Sequence, residues 1–358
     1  MSVVRDRLFL VLFAVLVGSA TALAPTDAAP AHAAGVGNDP FLPGVPYAGA
    51  FPDPTVLRVG TRYYAHATTV ASLSLPAMSS SDLRTWTPRP ALDPALPRYN
   101  EAMPERPAWA RVLTSPGGRS FLPAWAPSVA RTGPGQYVAA YAVPRASDGR
   151  RCVSIARGGH PLGPFTDRST RPLVCGARGV IDPQIFRDRG RLWLLLKASG
   201  SPARLVVRRL NPSASAFATA SRYHGLLTAR LAWEGGVVEN PAMIRFHKRL
   251  YLFYSANDYR TASYATGYAR CRTVTGPCRR QGRLLGNGPY LSGSGGATPF
   301  FDTAGRLRLA YHAWRTGNVG HATDDACLDT AAGCPQRRMY VAHLGAGVKG
   351  RLLVRTRR

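Results

Sequence analysis

Lysine is nearly absent from this chain: three stand against 43 arginines. Acidic residues are also few, 19 in 358, which leaves a formal net charge of +27. So large a positive charge points first to nucleic acid. The basic residues are scattered, however, with no run longer than two and no nucleic-acid motif around them. Arginine and lysine are different physical groups, and a bias this strong reads as a compositional habit. Nucleic-acid binding is therefore not expected, whereas general attraction to acidic polymers is. Long apolar runs are missing too. The one candidate, Leu8 to Val17, is shorter than the roughly 20 residues a membrane span needs.

That short run has another reading. Arg5 and Arg7 precede it, and small residues follow, with Ala22-Leu23-Ala24 and Ala31-His32-Ala33 as cleavage-type sequences. This is the pattern of a secretory signal peptide, expected over 1–34, with export of the remainder. The six cysteines agree. Cys152 with Cys175, Cys271 with Cys278, and Cys327 with Cys334 are the favoured disulfides among 15 possible connectivities. Neither zinc-ribbon nor C-x-x-C redox spacing is present.

Residues 35–358 are expected to form one domain and a monomer. Hydrophobic content of 45% supports a core, while 36 glycines and 30 prolines imply many turns and hence many short strands. A repeat organises them. Asp53-Pro54, Ala126-Pro127, Asp182-Pro183, Asn240-Pro241 and Thr298-Pro299 each open an apolar segment. Ten residues after each proline stands Tyr64, Tyr137, Trp193, Tyr251 or Leu309. Each unit reads as a strand, a turn and a second apolar strand, with room for two more. The fold expected is all-β, a five-bladed β-propeller. A β-sandwich or β-helix suits the period less well. The first interval is the longest, and its extra residues, between Thr87 and Ala124, read as a rim loop.

In a propeller the first strand of each blade lines the central channel. The residues before the repeat prolines should therefore gather at one end of it. An Asp before Pro is ordinarily a turn signal. Two such Asp at equivalent positions, with Glu239 beside Asn240 in a third blade, instead converge on a shared pocket.

These segments resemble glycoside hydrolase family 43. The resemblance rests on Ala50-Phe51-Pro52-Asp53-Pro54, Trp125-Ala126-Pro127-Ser128-Val129, Ile181-Asp182-Pro183, Val238-Glu239-Asn240-Pro241, Tyr251-Leu252-Phe253-Tyr254-Ser255 and Tyr311-His312-Ala313-Trp314. It implies an inverting hydrolase of arabinofuranosyl or xylosyl linkages acting on arabinan- or arabinoxylan-type carbohydrate. By position, Asp53 is the implied general base, Glu239 the general acid, and Asp182 the group that orients the acid and raises its pKa by like-charge repulsion. Trp125, Trp233, Asn257 and His312 are the expected substrate contacts. Many members carry a Gly-Pro-Gly-His segment associated with an ion in the channel; here Gly293-Ser294-Gly295-Gly296-Ala297 stands instead. No cofactor is required and no metal ligand is expected; His312 and His321 remain, but single histidines are weak metal evidence, so a central-channel calcium is left as the lesser alternative.

Three rival readings remain at this level. Glu234 competes with Glu239 but lacks the following strand start. A related fructan-processing group has Arg before its middle Asp-Pro and Cys after its Glu, where this chain has Ile181 and Asn240. The third is a non-catalytic carbohydrate-binding propeller.

Overall fold

The second strand of each unit is apolar at nearly every position, as in Leu192-Trp193-Leu194-Leu195-Leu196 and Leu250-Tyr251-Leu252-Phe253-Tyr254. An unbroken apolar run suits a strand covered on both faces. A computed structural model supplies the two covers: residues 49–355, except 71, 91–100, 116, 117, 119 and 321–334, form a five-bladed β-propeller. The expected leader, His321 and the Cys327–Cys334 pair lie outside the described residues, all of which fall in the unit Val36–Arg358.

Blade 1 consists of β1 (Thr55–Val59), β2 (Arg62–His66), β3 (Ala77–Ser80) and β4 (Thr87–Pro88). A small hairpin follows, β5 (Leu113–Thr114) and β6 (Ser120–Phe121). Blade 2 has three strands, β7 (Trp125–Gly133), β8 (Gln136–Pro144) and β9 (Arg151–Gly158). Its outer edge is completed by the bridges Val153–Val174 and Arg157–Thr166 and by the Cys152–Cys175 disulfide. Blade 3 comprises β10 (Val180–Asp188), β11 (Arg191–Ala198), β12 (Arg204–Arg209) and β13 (His224–Thr228). Blade 4 comprises β14 (Val238–Phe246), β15 (Arg249–Ala256), β16 (Ala265–Cys271) and β17 (Cys278–Leu285), the last two tied by Cys271–Cys278. Blade 5 comprises β18 (Leu291–Phe301), β19 (Leu307–Arg315), β20 (Arg338–Ala346) and β21 (Leu352–Arg355). Every blade pairs its strands antiparallel in sequence order.

The core is divided into five parts, one between each pair of neighbouring blades. Strand parity decides which side receives each residue. Leu194 and Leu196 pack toward blade 2, while Leu195 packs toward blade 4. The segment expected as a rim loop is partly core: Ala102, Met103, Ala110, Leu122 and Ala124 are buried between blades 1 and 2. Its apolar residues have a face to fill there, which is why it does not project freely.

The inner strands meet in a ring, and four of them carry a break in register near the mouth: between Trp125 and Ser128, Ile181 and Gln184, Glu239 and Ala242, and Gly295 and Thr298. At the break the chain takes a left-handed turn, with φ of 44° at Ala126, 56° at Asp182 and 44° at Asn240; Asp53, before β1, has 52°. Bulges of this kind re-aim side chains. In blade 5 the turn falls at Gly296, φ 60°, rather than at Thr298 as the Thr298-Pro299 pair suggested. Thr298 and Pro299 pair with Ala310 and Leu309 in the ladder. A Cβ on Gly296 would stand 2.5 Å from His312 Nδ1 and 2.9 Å from Asp53 Cα, so close approach as well as φ demands glycine.

Candidate functional site

The turns bring Asp53, Ala126, Asp182, Asn240, Gly296 and Thr298 around a narrow cavity within the ring. Each turn exposes a backbone N–H that the preceding blade must satisfy. Thr68 Oγ1 accepts from Ala126 N at 2.8 Å, Ser255 Oγ from Gly296 N at 2.8 Å, and His312 Nδ1 from Asp53 N at 2.9 Å. Thr68, Ser255 and His312 occupy equivalent places, across from the residue before the turn: Pro52, Glu239 and Gly295. In blade 2 that place is Ala142, and in blade 3 it is Lys197. A lysine has no acceptor to offer. The Asn240 N–H is instead taken by Asp182 Oδ2 at 2.9 Å.

Lys197 turns to Glu239, with Nζ 2.5 Å from Oε2. Parity explains the contact: Lys197 follows Leu195 on the side facing blade 4, where the apolar interface gives way to the mouth. The other oxygen, Oε1, meets the Tyr264 hydroxyl at 2.7 Å, and that hydroxyl lies 2.8 Å from Asn240 Oδ1. One hydroxyl proton cannot serve two acceptors. The hydroxyl therefore faces the Glu239 and Asn240 oxygens together and donates to one of them at a time. Asn240 Nδ2 reaches Asp53 Oδ1 at 3.4 Å, and Asp53 Oδ2 accepts from Thr68 Oγ1 at 2.7 Å. An amide and a hydroxyl thus stand between the carboxyl groups of Asp53 and Glu239.

Burial pushes the Asp182 carboxyl up to about 8, with further repulsion from Glu239 and Asp53 outweighing the opposing Lys197 charge and the Asn240 bond. The sequence reading gave Asp182 the task of raising its neighbour's pKa; in the structure the Asp182 carboxyl is itself raised, chiefly by burial. Burial works against charge on Lys197, yet Glu239 and Asp182 prevail and keep its pKa above the ordinary value. Burial and the charges of Glu239 and Asp53 hold the Tyr264 hydroxyl neutral. Burial also holds His312 neutral, so its 3.6 Å approach to Asp53 Oδ1 is not an ion pair.

A stability prediction follows from Asp182. Its folded pKa lies above the ordinary 3.8, so its contribution is complete below about pH 4 and is lost as pH rises toward 8. Asp182→Asn keeps an acceptor for Asn240 N and removes this loss. Its melting temperature should exceed that of the parent at pH 8 by at least a few degrees, since a pKa unit is worth about 1.4 kcal/mol and about 1 kcal/mol moves a large domain roughly 2–4 °C. Calorimetry at pH 4 should find the gap closed; an equal gap at both values would refute the assignment.

The remaining expected residues fall as follows. Trp125 borders Ala126, and the Arg151 guanidinium covers its ring at 2.9 Å. Burial lowers the Arg151 pKa to about 9, against the pull of Asp182 and Tyr259, which leaves it charged at neutral pH. Trp233 packs on Tyr254, ring centroids 5.9 Å apart, within the blade 3–4 interface. Asn257 is spent on a turn: Nδ2 donates to Trp233 O and Oδ1 accepts from Asp258 N. His312 is buried beneath Asp53 as described. Glu234 is wholly buried and saturated by Arg280, Tyr254 and the backbone of Arg230 and Leu231, which removes it as a rival acid. Sequence reading missed Lys197, Tyr264, Arg151 and Thr68, though strand parity carried a signal for the first. Among the described residues no group of three or more His, Cys, Asp or Glu has the arrangement to hold a metal. Nor is any described helix long and apolar enough to cross a membrane.

Residues 45–330 match the family model described as glycosyl hydrolases family 43. The chain is 25% identical over 336 residues to a beta-D-galactofuranosidase of Aspergillus niger, covering 86% of this chain and 87% of that one. Among solved structures it is similar to a thermostable family-43 glycoside hydrolase, with TM-score 0.67, 22% identity and coverage of 86% and 93%. It is also similar to an exo-1,5-alpha-L-arabinanase from a bovine ruminal metagenomic library, with TM-score 0.63, 20% identity and coverage of 87% and 99%. At such identities the structural likenesses speak to the fold.

Proposed function

The chain belongs to glycosyl hydrolases family 43, and from that membership we propose that it hydrolyses arabinofuranosyl or xylosyl linkages in plant-type polysaccharides with inversion of configuration. The observation that carries the reading is the meeting of Asp53, Asp182 and Glu239, each from a different blade, with Glu239 and Asp53 both close enough to repel the Asp182 carboxyl. In the proposed reaction Asp53 takes a proton from water while the water oxygen attacks the anomeric carbon. The bond to the leaving oxygen breaks as Glu239 donates its proton to that oxygen. Inverting chemistry keeps two carboxyl groups apart so that water fits between base and sugar; the amide and hydroxyl lying between Asp53 and Glu239 suit this. Asp53 is the more accessible, with a side chain 15% exposed against 10% for Glu239, as a water-activating group should be. Asp182 holds the Asn240 backbone, and through it the neighbouring Glu239. The two disulfides among the described residues suit an oxidising compartment outside the cytoplasm, in keeping with a secreted enzyme.

A galactofuranosyl linkage is the second reading, favoured by the Aspergillus niger relative. The test is a panel of arabinan, arabinoxylan and nitrophenyl arabinofuranosides, xylosides and galactofuranosides, with the first-formed anomer followed by NMR. Release of a pentose with inverted configuration is expected. Retained configuration, or turnover of none of these, would overturn the proposal.

A further inference from the structure

Lys197 is anomalous twice. It is one of three lysines in a chain that uses arginine 43 times. It also occupies the repeat position where blades 1, 4 and 5 place an acceptor for the next turn's N–H. Ring construction therefore does not account for it, and blade 3 had to recruit Asp182 for that bond.

Its contact supplies another account. Both oxygens of Glu239 are occupied, Oε1 by the buried Tyr264 hydroxyl and Oε2 by the Lys197 ammonium. A leaving-group oxygen must approach one of them to receive the proton. Tyr264 is 1% exposed and stacked on His312 with an interplanar angle of 7°, so the Oε1 side is closed. The Oε2 side is held by a flexible side chain that can withdraw. An arginine there would present a planar fork able to take both carboxylate oxygens; a lysine is a point donor that takes one.

We propose that Lys197 is a positioning residue of the general acid: its ammonium holds Glu239 Oε2 where the leaving-group oxygen must arrive, yields that place to substrate, and stays near enough to stabilise the carboxylate left by proton transfer. This rests on the reading of Glu239 as the acid. The balance is simple. The carboxyl proton passes to the glycosidic oxygen as its bond to the anomeric carbon breaks, and the new negative charge on Glu239 is met by the ammonium. The other charged or titratable groups facing this cluster are Asp182 from β10, Asp53, Arg151 from β9, Tyr259, Tyr264 and, stacked on Tyr264, His312 with Arg337 near it.

Removing the ammonium should let the carboxyl pair keep its proton to higher pH, whereas removing Asp182 should release it at lower pH. The test uses Lys197→Met and Lys197→Ser; the serine restores the acceptor that blade 4 carries at the equivalent position and so guards against a folding failure. The alkaline limb of kcat/KM should move up by about 1–3 pH units in both, and down in Asp182→Asn. Turnover of unactivated glycosides should fall at least about tenfold, with nitrophenyl glycosides affected less. An alkaline limb left in place in Lys197→Ser, with parental melting temperature, would overturn the proposal. The underlying reading is tested separately: if Glu239→Gln discriminates between leaving groups while Lys197→Ser leaves the limb unmoved, only the lysine's role fails.

Discussion

Asp53→Asn should cost about 10²–10⁴ in kcat on every substrate, activated or not. The amide has the size of the carboxylate and accepts the Thr68 hydroxyl, whose own oxygen still takes the Ala126 N–H. Asparagine also tolerates the left-handed backbone at this position, φ 52°. The fold should therefore survive, with a melting temperature close to the parent's, and what disappears is the group that accepts the proton of the attacking water. Leaving-group quality is irrelevant to that step, so nitrophenyl glycosides and natural polysaccharides should suffer alike. Steady-state kinetics on both classes decide the matter. A variant retaining more than about a tenth of parental turnover would exclude Asp53 as the base.

Glu239→Gln should behave in the opposite fashion. Its amide satisfies Lys197 and Tyr264 in turn but has no proton to give at neutral pH. Substrates whose leaving oxygen needs protonation should slow by about 10²–10⁴, whereas a nitrophenolate departs unaided and should slow by less than about tenfold. The alkaline limb of the pH profile should disappear with the group that produces it. Equal losses on both substrate classes would mean that Glu239 only shapes the pocket.

The blade count and the positions of Asp53, Asp182 and Glu239 were legible because they recur with the proline register, and recurrence survives without knowing any contact. The apolar second strands were legible for the same reason. Thr298 reaches the cavity as its place before the proline suggested, but the left-handed turn of blade 5 lies two positions earlier, at Gly296, because the ring requires a residue small enough to clear His312. Trp233 and Asn257 were nominated by residue type, and their packing and hydrogen bonds are tertiary facts that no local pattern states. Lys197 lies between the two cases. Its face follows from strand parity, but its partner depends on which blade comes next and on how far the mouth extends.

The first and last blades meet without sharing a strand among the described residues. They are joined by Phe51 N to Arg337 O, Asp53 N to His312 Nδ1, Thr298 Oγ1 to Pro54 O, Thr303 N to the Tyr63 hydroxyl, and the apolar cluster around Phe51, Trp86 and Phe300. Two of those hydrogen bonds fall at Asp53 and the proline beside it. The seam of the ring and the proposed water-activating group are thus one place, and His312 is its clasp. Parting the blades there would carry Asp53 away from Glu239 before any blade had to unravel. Catalysis in such a molecule reports whether the circle is shut, and a circular permutation that moved the chain ends to another gap would take the breach away from the base.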